Sequence, residues 1–288
     1  MVLCAGLGTR LRPLTGELPK PLVPIGDRSV LEHALDHLEP HVAGKVVVNV
    51  HHLPREFERL RSRVEVILEG SLLGTAGGVA GARSLLEPPA LVWNGDILLS
   101  GSCAEPLKSL MKVDFLSLLG VARPAGQGTV GVGSGGEVVR LRGERFGEER
   151  AGADYVGVCA LGGRALAALP PAGCLIGDVA LPYLRSGGRV EVVVRDLGWT
   201  DAGDPGAYLA ANLGWLADAG RDAWVGPEAS LGPGVTLEQA VVGRGARVEG
   251  WGRLRRVVVW PGAVACAPLE DAVVTPARVV HVVAPVAS

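Results

Sequence analysis

The stretch LCAGLGTRLRP, residues 3–13, runs a short apolar segment straight into a glycine loop and then into two arginines. An apolar start that breaks at glycines reads as a buried strand followed by a loop at its carboxyl end, where α/β sheets hold their ligands. The loop is not a dinucleotide fingerprint. Gly6-Leu7-Gly8 is followed by Thr9-Arg10-Leu11, so the third glycine of G-x-G-x-x-G is missing, and the G-x-x-x-x-G-K-[ST] loop of ATPases is absent as well. What remains is a loop able to present backbone N–H groups to an anion, with the Thr9 hydroxyl and the Arg10 cation beside them. That composition suits a triphosphate. Lys20 follows ten residues later between Pro19 and Pro21, which stiffen the backbone carrying the ammonium.

Outward from this loop, strand-like and helix-like segments alternate. RSVLEHALDHLEPH (28–41) carries apolar residues at helical spacing, KVVVNV (45–50) is a β-branched run suited to a buried parallel strand, and REFERLRSR (55–63) reads as a short charged helix. VEVILE (64–69) follows as a strand, GTAGGVAGARSLL (74–86) as a glycine-rich turn into a helix, and ALVWNGDILL (90–99) as an apolar strand interrupted by Asn-Gly-Asp. This alternation predicts right-handed βαβ units and a Rossmann-like, mostly parallel sheet covered on both faces. After about residue 222 the texture changes. Val225, Leu231 and Leu237 recur six residues apart, and after one five-residue step Val242, Val248 and Leu254 continue the series with Pro and Gly between them. Hexapeptide periodicity predicts a short left-handed parallel β-helix with one aliphatic side chain per face pointing inward. The expected division is therefore 1–222 and 223–288. So short a coil needs a neighbour to cover its ends, which predicts packing on the rest of the chain or in a homo-oligomer.

Composition bounds the remaining classes. The chain has 288 residues, a length that suggests two domains, and its apolar runs are too interrupted to span a membrane. The motif begins at Leu3, leaving no room for a signal peptide, so a cytoplasmic location is expected. Five cysteines without a C-x-x-C pair indicate neither a disulfide framework nor a zinc site and read as small buried residues. A net charge of −2 argues against nucleic-acid binding, yet Arg10, Arg12, Lys20 and Arg28 outnumber Glu17 and Asp27 in the opening segment, so a polyanion can be gripped there.

Taken together, these residues resemble the sugar-phosphate nucleotidyltransferases, whose opening signature is L-x-A-G-x-G-T-R-L-x-P-L-T followed by a P-K-P-L segment. Leu3 to Thr15 and Pro19 to Leu22 match it, and LGTAGG (73–78), NGD (94–96), YVG (155–157) and WTDAGDP (199–205) follow in order. The resemblance implies a GT-A-like nucleotidyltransferase fold and in-line attack of a sugar 1-phosphate oxygen on the α-phosphorus of a nucleoside triphosphate, with pyrophosphate leaving. It implies a nucleotide site of Leu3, Ala5, Gly6, Gly8, Thr9, Arg10, Glu69, Gly74 and Thr75. Lys20, Asn94 and Gly157 would hold the sugar phosphate, and Asp96 and Asp201 would ligate Mg²⁺. Arg10, Lys20, Asp96 and Asp201 are then the catalytic set.

Base choice follows from hydrogen-bond polarity. Glu69 lies five residues before Gly74, where the family contacts the base edge, and a carboxylate accepts without donating. It favours guanine, with N1–H and N2–H₂, ahead of uracil or thymine with N3–H; the other reading of Glu69 is a solvated strand end. One departure concerns the sugar. Many relatives carry a Glu-Lys-Pro segment between the NGD and Y-x-G motifs, and this chain has RLRGERFGEER (140–150) instead, where Glu144 does not inherit the role. The leading expectation is GTP with mannose 1-phosphate. The alternatives are N-acetylmuramate 1-phosphate uridylyl transfer and a nucleotide-sugar-sensing regulatory subunit. His33 and His37, four apart, have zinc-like spacing but no third ligand, and His51 and His52, near the expected cleft, read as the start of the next helix ahead of the other reading, a substrate contact. A hexapeptide acyltransferase would need a catalytic His in the repeat, and His281 stands alone there.

Overall fold

The computed structural model describes residues 1–42 and 44–282. Aliphatic, β-branched runs supply its strands. Val2–Leu3 (β1), Val46–Val50 (β2), Val64–Leu68 (β3) and Ala90–Asn94 (β4) lie parallel in the order β4-β1-β2-β3. Antiparallel pairing extends this core. Leu116–Arg123 (β5), Val130–Val132 (β6), Val138–Leu141 (β7), Ala151–Leu161 (β8) and Glu191–Arg195 (β9) join it through β8, which pairs with β4, β5 and β6, while β9 lies parallel on β5. The result is a mixed sheet whose run of four parallel strands forms one end, with β3 at the edge. The helix Val30–Leu38 (α1) falls within the segment whose spacing predicts it, and Gly74–Gly81 (α2) takes into the helix the glycines expected to form a turn before it. The expected helix over 55–63 is instead a run of 3₁₀ turns, Pro54–Leu60. Its two buried residues, Phe57 and Leu60, are three apart, the period at which a 3₁₀ turn eclipses side chains.

Contacts divide the chain into two compact units: Met1–Gly6 with Ala34–Trp199, and Leu7–His33 with the chain from Thr200 onward. In the first, Arg140 on β7 donates through Nε and Nη2 to Glu149 at 2.9 and 3.0 Å, and Glu149 also accepts from the Gly126 N–H at 2.7 Å. Only 6% of the Glu149 side chain is exposed. The Arg140 bonds hold its carboxyl down at about 2. A depressed native value contributes stability that is complete above the ordinary value of 4.5 and is lost as pH falls from there towards 2. Glu149→Gln is expected to cost about 2 kcal/mol at neutral pH and to flatten the acid loss across that window, as read by unfolding between pH 2.5 and 6.

The second unit is built on the helix Pro205–Asp218 (α3). Asp204 caps it, accepting from the N–H groups of Gly206 and Ala207 at 2.9 Å, and Pro205 occupies the first turn, where its missing N–H is harmless. Tyr208 is wholly buried and donates its hydroxyl proton to the Pro24 carbonyl at 2.5 Å, while the same oxygen accepts from the Trp260 indole at 2.9 Å. Asn212, one turn on, accepts from the Gly26 N–H at 2.9 Å and donates to the Tyr208 carbonyl at 3.1 Å. Gly26 has φ +60°, and a Cβ there would stand 2.3 Å from the Trp215 ring. Further out, the Thr275 hydroxyl donates to Glu17 at 2.7 Å.

Beyond α3, Ala223–Val225 (β10), Val235–Val242 (β11), Arg247–Val259 (β12) and Val264–Val274 (β13) form a parallel ladder. Side chains align in three columns: Val225, Val242, Val259 and Val274; Leu231, Val248 and Ala265; Leu237, Leu254 and Leu269. Val225 and Leu231 are exposed, whereas Val242, Val248 and Leu254 are buried. The first rung has no strand stacked before it, so its aliphatic residues lack the cover that later rungs give one another. Three cysteines, Cys4, Cys103 and Cys159, are buried as expected, but Cys174 is half-buried and Cys266 is exposed on β13, whose alternate residues face outward. Among the described residues no helix is long and apolar enough to cross a membrane.

Candidate functional site

In the first unit the carboxyl ends of three parallel strands lie side by side. Leu3 pairs with Asn49 on one flank and with Asn94 on the other, and the Gly95 N–H donates to the Leu3 carbonyl at 2.9 Å. Glycine-loop start and NGD turn are thus neighbours. The turn is fastened from beneath by Trp93, fully buried, whose indole donates to the Ile97 carbonyl at 3.1 Å. Asn94 lies against Gly157, which has φ +78° and where a Cβ would stand 2.8 Å from Asn94 Nδ2. The two sugar-contact candidates therefore meet, and glycine is required where they do. Asp96, half-buried, follows on the same turn.

Asn49 is the residue that the sequence reading missed. It is the one polar side chain of β2, 2% exposed, and a polar residue inside an apolar run was the signal. Its Oδ1 accepts from the Cys4 N–H at 2.9 Å and its Nδ2 donates to Glu69 Oε1 at 2.6 Å. Glu69 is buried, not a solvated strand end, and its Oε2 has no hydrogen-bond partner among the described residues. Its carbonyl meets His51 Nδ1 at 2.9 Å. Gly78, the last residue of the LGTAGG motif, leaves room for the Asn49–Glu69 pair, since a Cβ there would stand 2.5 Å from Asn49 Nδ2. Gly74 has φ +74° and passes so close to the Gly173 carbonyl that a Cβ would sit 2.4 Å away. The Thr75 hydroxyl oxygen accepts from the Leu175 N–H at 2.8 Å, so it fastens the 173–175 loop. Beside it, burial raises the Cys174 thiol, but the N–H groups of Gly177 and Ile176, the Thr75 hydroxyl and Arg142 outweigh burial and hold it below its usual value.

In the second unit Gly8 has φ +59° and turns the chain onto Thr15 and Lys20; a Cβ would stand 2.8 Å from Thr15 Cγ2 and 3.0 Å from Lys20 Cβ. The Thr15 hydroxyl donates to the Gly8 carbonyl at 2.9 Å. Lys20 is only 8% exposed, in the 3₁₀ turn Lys20–Leu22. Thr9 and Arg10 are exposed, and Arg10 Nη2 lies 4.0 Å from Asp201 Oδ2 with both side chains open to solvent. An exposed pair of this kind is worth at most about 1 kcal/mol, so an incoming anion takes the guanidinium at little cost. Gly6, in the first unit, has nothing within 4 Å of where a Cβ would be, leaving its backbone approachable.

Other candidates are otherwise occupied. His33 Nε2 meets the Ile25 carbonyl at 2.9 Å, while His37 stacks on Trp93. Glu144 pairs with Arg185 at 2.9 Å. Among the described residues no group of three or more His, Cys, Asp or Glu could hold a metal.

Comparison with known proteins agrees with this architecture. A nucleotidyl transferase family profile matches residues 1–142. The bifunctional protein GlmU of Methanococcus maripaludis (strain C5) is 30% identical over 225 residues, covering 75% of this chain and 54% of that protein. The chain thus spans about half the length of that relative. Mannose-1-phosphate guanylyltransferase of Mycobacterium tuberculosis is 36% identical over 115 residues, 37% of this chain and 32% of that one. The crystal structure of HddC from Yersinia pseudotuberculosis complexed with GMP-PN shares the fold, with a TM-score of 0.60 at 23% identity, over 74% of this chain and 97% of that one. On these matches and the motifs that carry them, residues 1–142 belong to the nucleotidyl transferase family.

Proposed function

We propose that this protein transfers a nucleoside monophosphate from a nucleoside triphosphate to a sugar 1-phosphate, releasing pyrophosphate, with GTP and mannose 1-phosphate as the favoured pair. The observation that carries the reading is the Gly8 turn closed on Thr15 and on the stem of Lys20, which sets a shaped backbone turn and two cations, Arg10 and Lys20, in one compact unit. In the reaction a sugar-phosphate oxygen bonds to the α-phosphorus in line as the bond to pyrophosphate breaks, and pyrophosphate leaves with the electron pair. No covalent enzyme intermediate is needed, so the protein's work is alignment and charge neutralisation. The backbone from Gly6 to Thr9, with Leu3 and Ala5 behind it, receives the triphosphate, and Arg10 neutralises the departing pyrophosphate. Lys20 holds the sugar phosphate, with Asn94 and the Gly157 backbone on the sugar. Gly74 and Thr75 carry the turn that faces the base.

Glu69 supports the choice of guanine. Its buried, unpartnered Oε2 is an acceptor waiting for an N–H, and guanine offers N1–H and N2–H₂ on one edge. Uracil N3–H suits the same oxygen, which keeps uridylyl transfer to N-acetylmuramate 1-phosphate as the reading to test beside it. The donor set also suits Mg²⁺: Asp96 and Asp201 offer carboxylate oxygens short of full burial, and magnesium commonly takes one or two carboxylates with phosphate oxygens and water. When bound there it would supply positive charge to the phosphates. Asp96→Asn and Asp201→Asn are each expected to raise the Mg²⁺ concentration for half-maximal turnover by at least about tenfold without changing the circular dichroism. An unchanged Mg²⁺ dependence would remove that residue from the ligand set. We also read the three aliphatic columns after residue 222 as a short left-handed parallel β-helix appended to the catalytic part.

The deciding experiment is pyrophosphate release with Mg²⁺ over GTP, UTP, dTTP, ATP and CTP against mannose, glucose, N-acetylglucosamine and N-acetylmuramate 1-phosphates. Release with one pair names the substrates. A silent grid with nucleotide-sugar binding intact replaces the transferase with a nucleotide-sugar-sensing subunit.

A further inference from the structure

We infer that Asn49 sets the hydrogen-bond polarity that residue 69 presents to the nucleobase, through a relay beginning at the Cys4 backbone. The inference rests on the reading of Glu69 as the base-contacting residue. The relay has one direction. A backbone N–H only donates, so the Asn49 atom facing Cys4 N at 2.9 Å is the carbonyl oxygen Oδ1. The amide nitrogen is thereby turned towards Glu69, where it donates to Oε1 at 2.6 Å. Chemistry alone fixes which way this amide points. Glu69 Oε2 is what the relay leaves over, buried and without a partner among the described residues. An unmatched buried acceptor is costly, and a ligand N–H relieves that cost. Gly78 admits the arrangement, since a Cβ there would press on Asn49 Nδ2 and stand 3.0 Å from Glu69 Oε1.

The direction of the relay has a consequence for substitution. A glutamine at position 69 cannot choose its orientation, because its Oε1 must face the Asn49 N–H and its NH₂ then takes the outer place. E69Q therefore converts the base-facing acceptor into a donor, which matches the ring acceptors of adenine N1 and cytosine N3 and opposes guanine N1–H and uracil N3–H. Adding N49D reverses the relay. The introduced carboxylate accepts from the Cys4 N–H with one oxygen and from the NH₂ of the substituted glutamine with the other, returning that side chain's carbonyl oxygen to the base-facing position. Asn49 is a positioning residue: it selects the base without touching it.

Dissociation constants for GTP, UTP, ATP and CTP, measured calorimetrically on the full chain for wild type, E69Q, N49D and E69Q/N49D, test this. The expected result for E69Q is a shift of at least about tenfold in preference away from GTP and UTP towards ATP and CTP, the size of one hydrogen bond to a charged group. The double variant should recover most of that shift, whereas N49D alone, with two adjoining carboxylates, should weaken all four nucleotides. An E69Q that keeps its preference, an E69Q that loses all four nucleotides equally, or a double variant no better than E69Q would each overturn the relay. A wild type indifferent to base would overturn the role of Glu69 and the relay with it. Because binding is read without sugar phosphate, failure of the transferase reading in the reaction grid remains a separate result.

Discussion

Lys20→Ala is expected to lower kcat/KM for the sugar phosphate by about 10³-fold while leaving the KM for nucleotide within a few-fold. Two phosphates approach closely only with positive charge between them, and in the proposed reaction Lys20 supplies it. It is 8% exposed, sits between Pro19 and Pro21 at the start of a 3₁₀ turn, and has its stem pressed by the Gly8 turn. Most of the entropy of holding a long side chain is therefore lost on folding instead of on binding, so the whole charge interaction is spent on the substrates. Lys20→Arg should recover little, because a planar fork does not fit where a compact ammonium on a slender stem is packed. Steady-state pyrophosphate release with each substrate varied in turn checks this, and unchanged kinetics for the sugar phosphate would refute the assignment.

Tyr208→Phe is expected to destabilise the second unit by about 3 kcal/mol. The hydroxyl is at once donor to the Pro24 carbonyl and acceptor from the Trp260 indole, all within a buried network that includes Asn212. Removing it orphans the buried Trp260 indole N–H and leaves the part-buried Pro24 carbonyl only a 3.5 Å bond from Asn212 Nδ2, the lost partners costing about 1–3 kcal/mol each. Burial also pushes the Tyr208 phenol well up, so it stays protonated and donating through the working pH range. Four of the six tryptophans, Trp215, Trp224, Trp251 and Trp260, belong to this unit, so the urea midpoint read by tryptophan fluorescence reports it directly. A midpoint equal to wild type would mean that water or a neighbouring group replaces the hydroxyl.

Much of this was legible in the chain. The β-branched run at 46–50 and the helical spacing over 30–38 each carry a local physical cause that sequence displays. The hexapeptide spacing placed residues that the register then stacks in columns. Three things were not legible, for different reasons. The 3₁₀ turns at 54–60 depend on only two apolar residues, too few to distinguish periods of 3.0 and 3.6. Asn49 was hidden because its partners, Cys4 and Glu69, lie 45 and 20 residues away and a lone amide in an apolar run has no periodicity. Membership of residues 7–33 in the unit begun at Thr200 rests on polar pairs such as Gly26 with Asn212, 186 residues apart, and such pairs leave no pattern in either segment.

That last feature bears on how the protein is made. Translation delivers Gly8, Thr15 and Lys20 first, yet Pro24 waits for Tyr208, Gly26 for Asn212, Tyr208 for Trp260, and Glu17 for Thr275, 258 residues later. The loop is thus made well before the residues that brace it. A nascent chain stalled short of Trp260 carries the whole Gly8–Lys20 turn without the partners that brace its unit, so that bracing is completed only after about 250 further residues have been made.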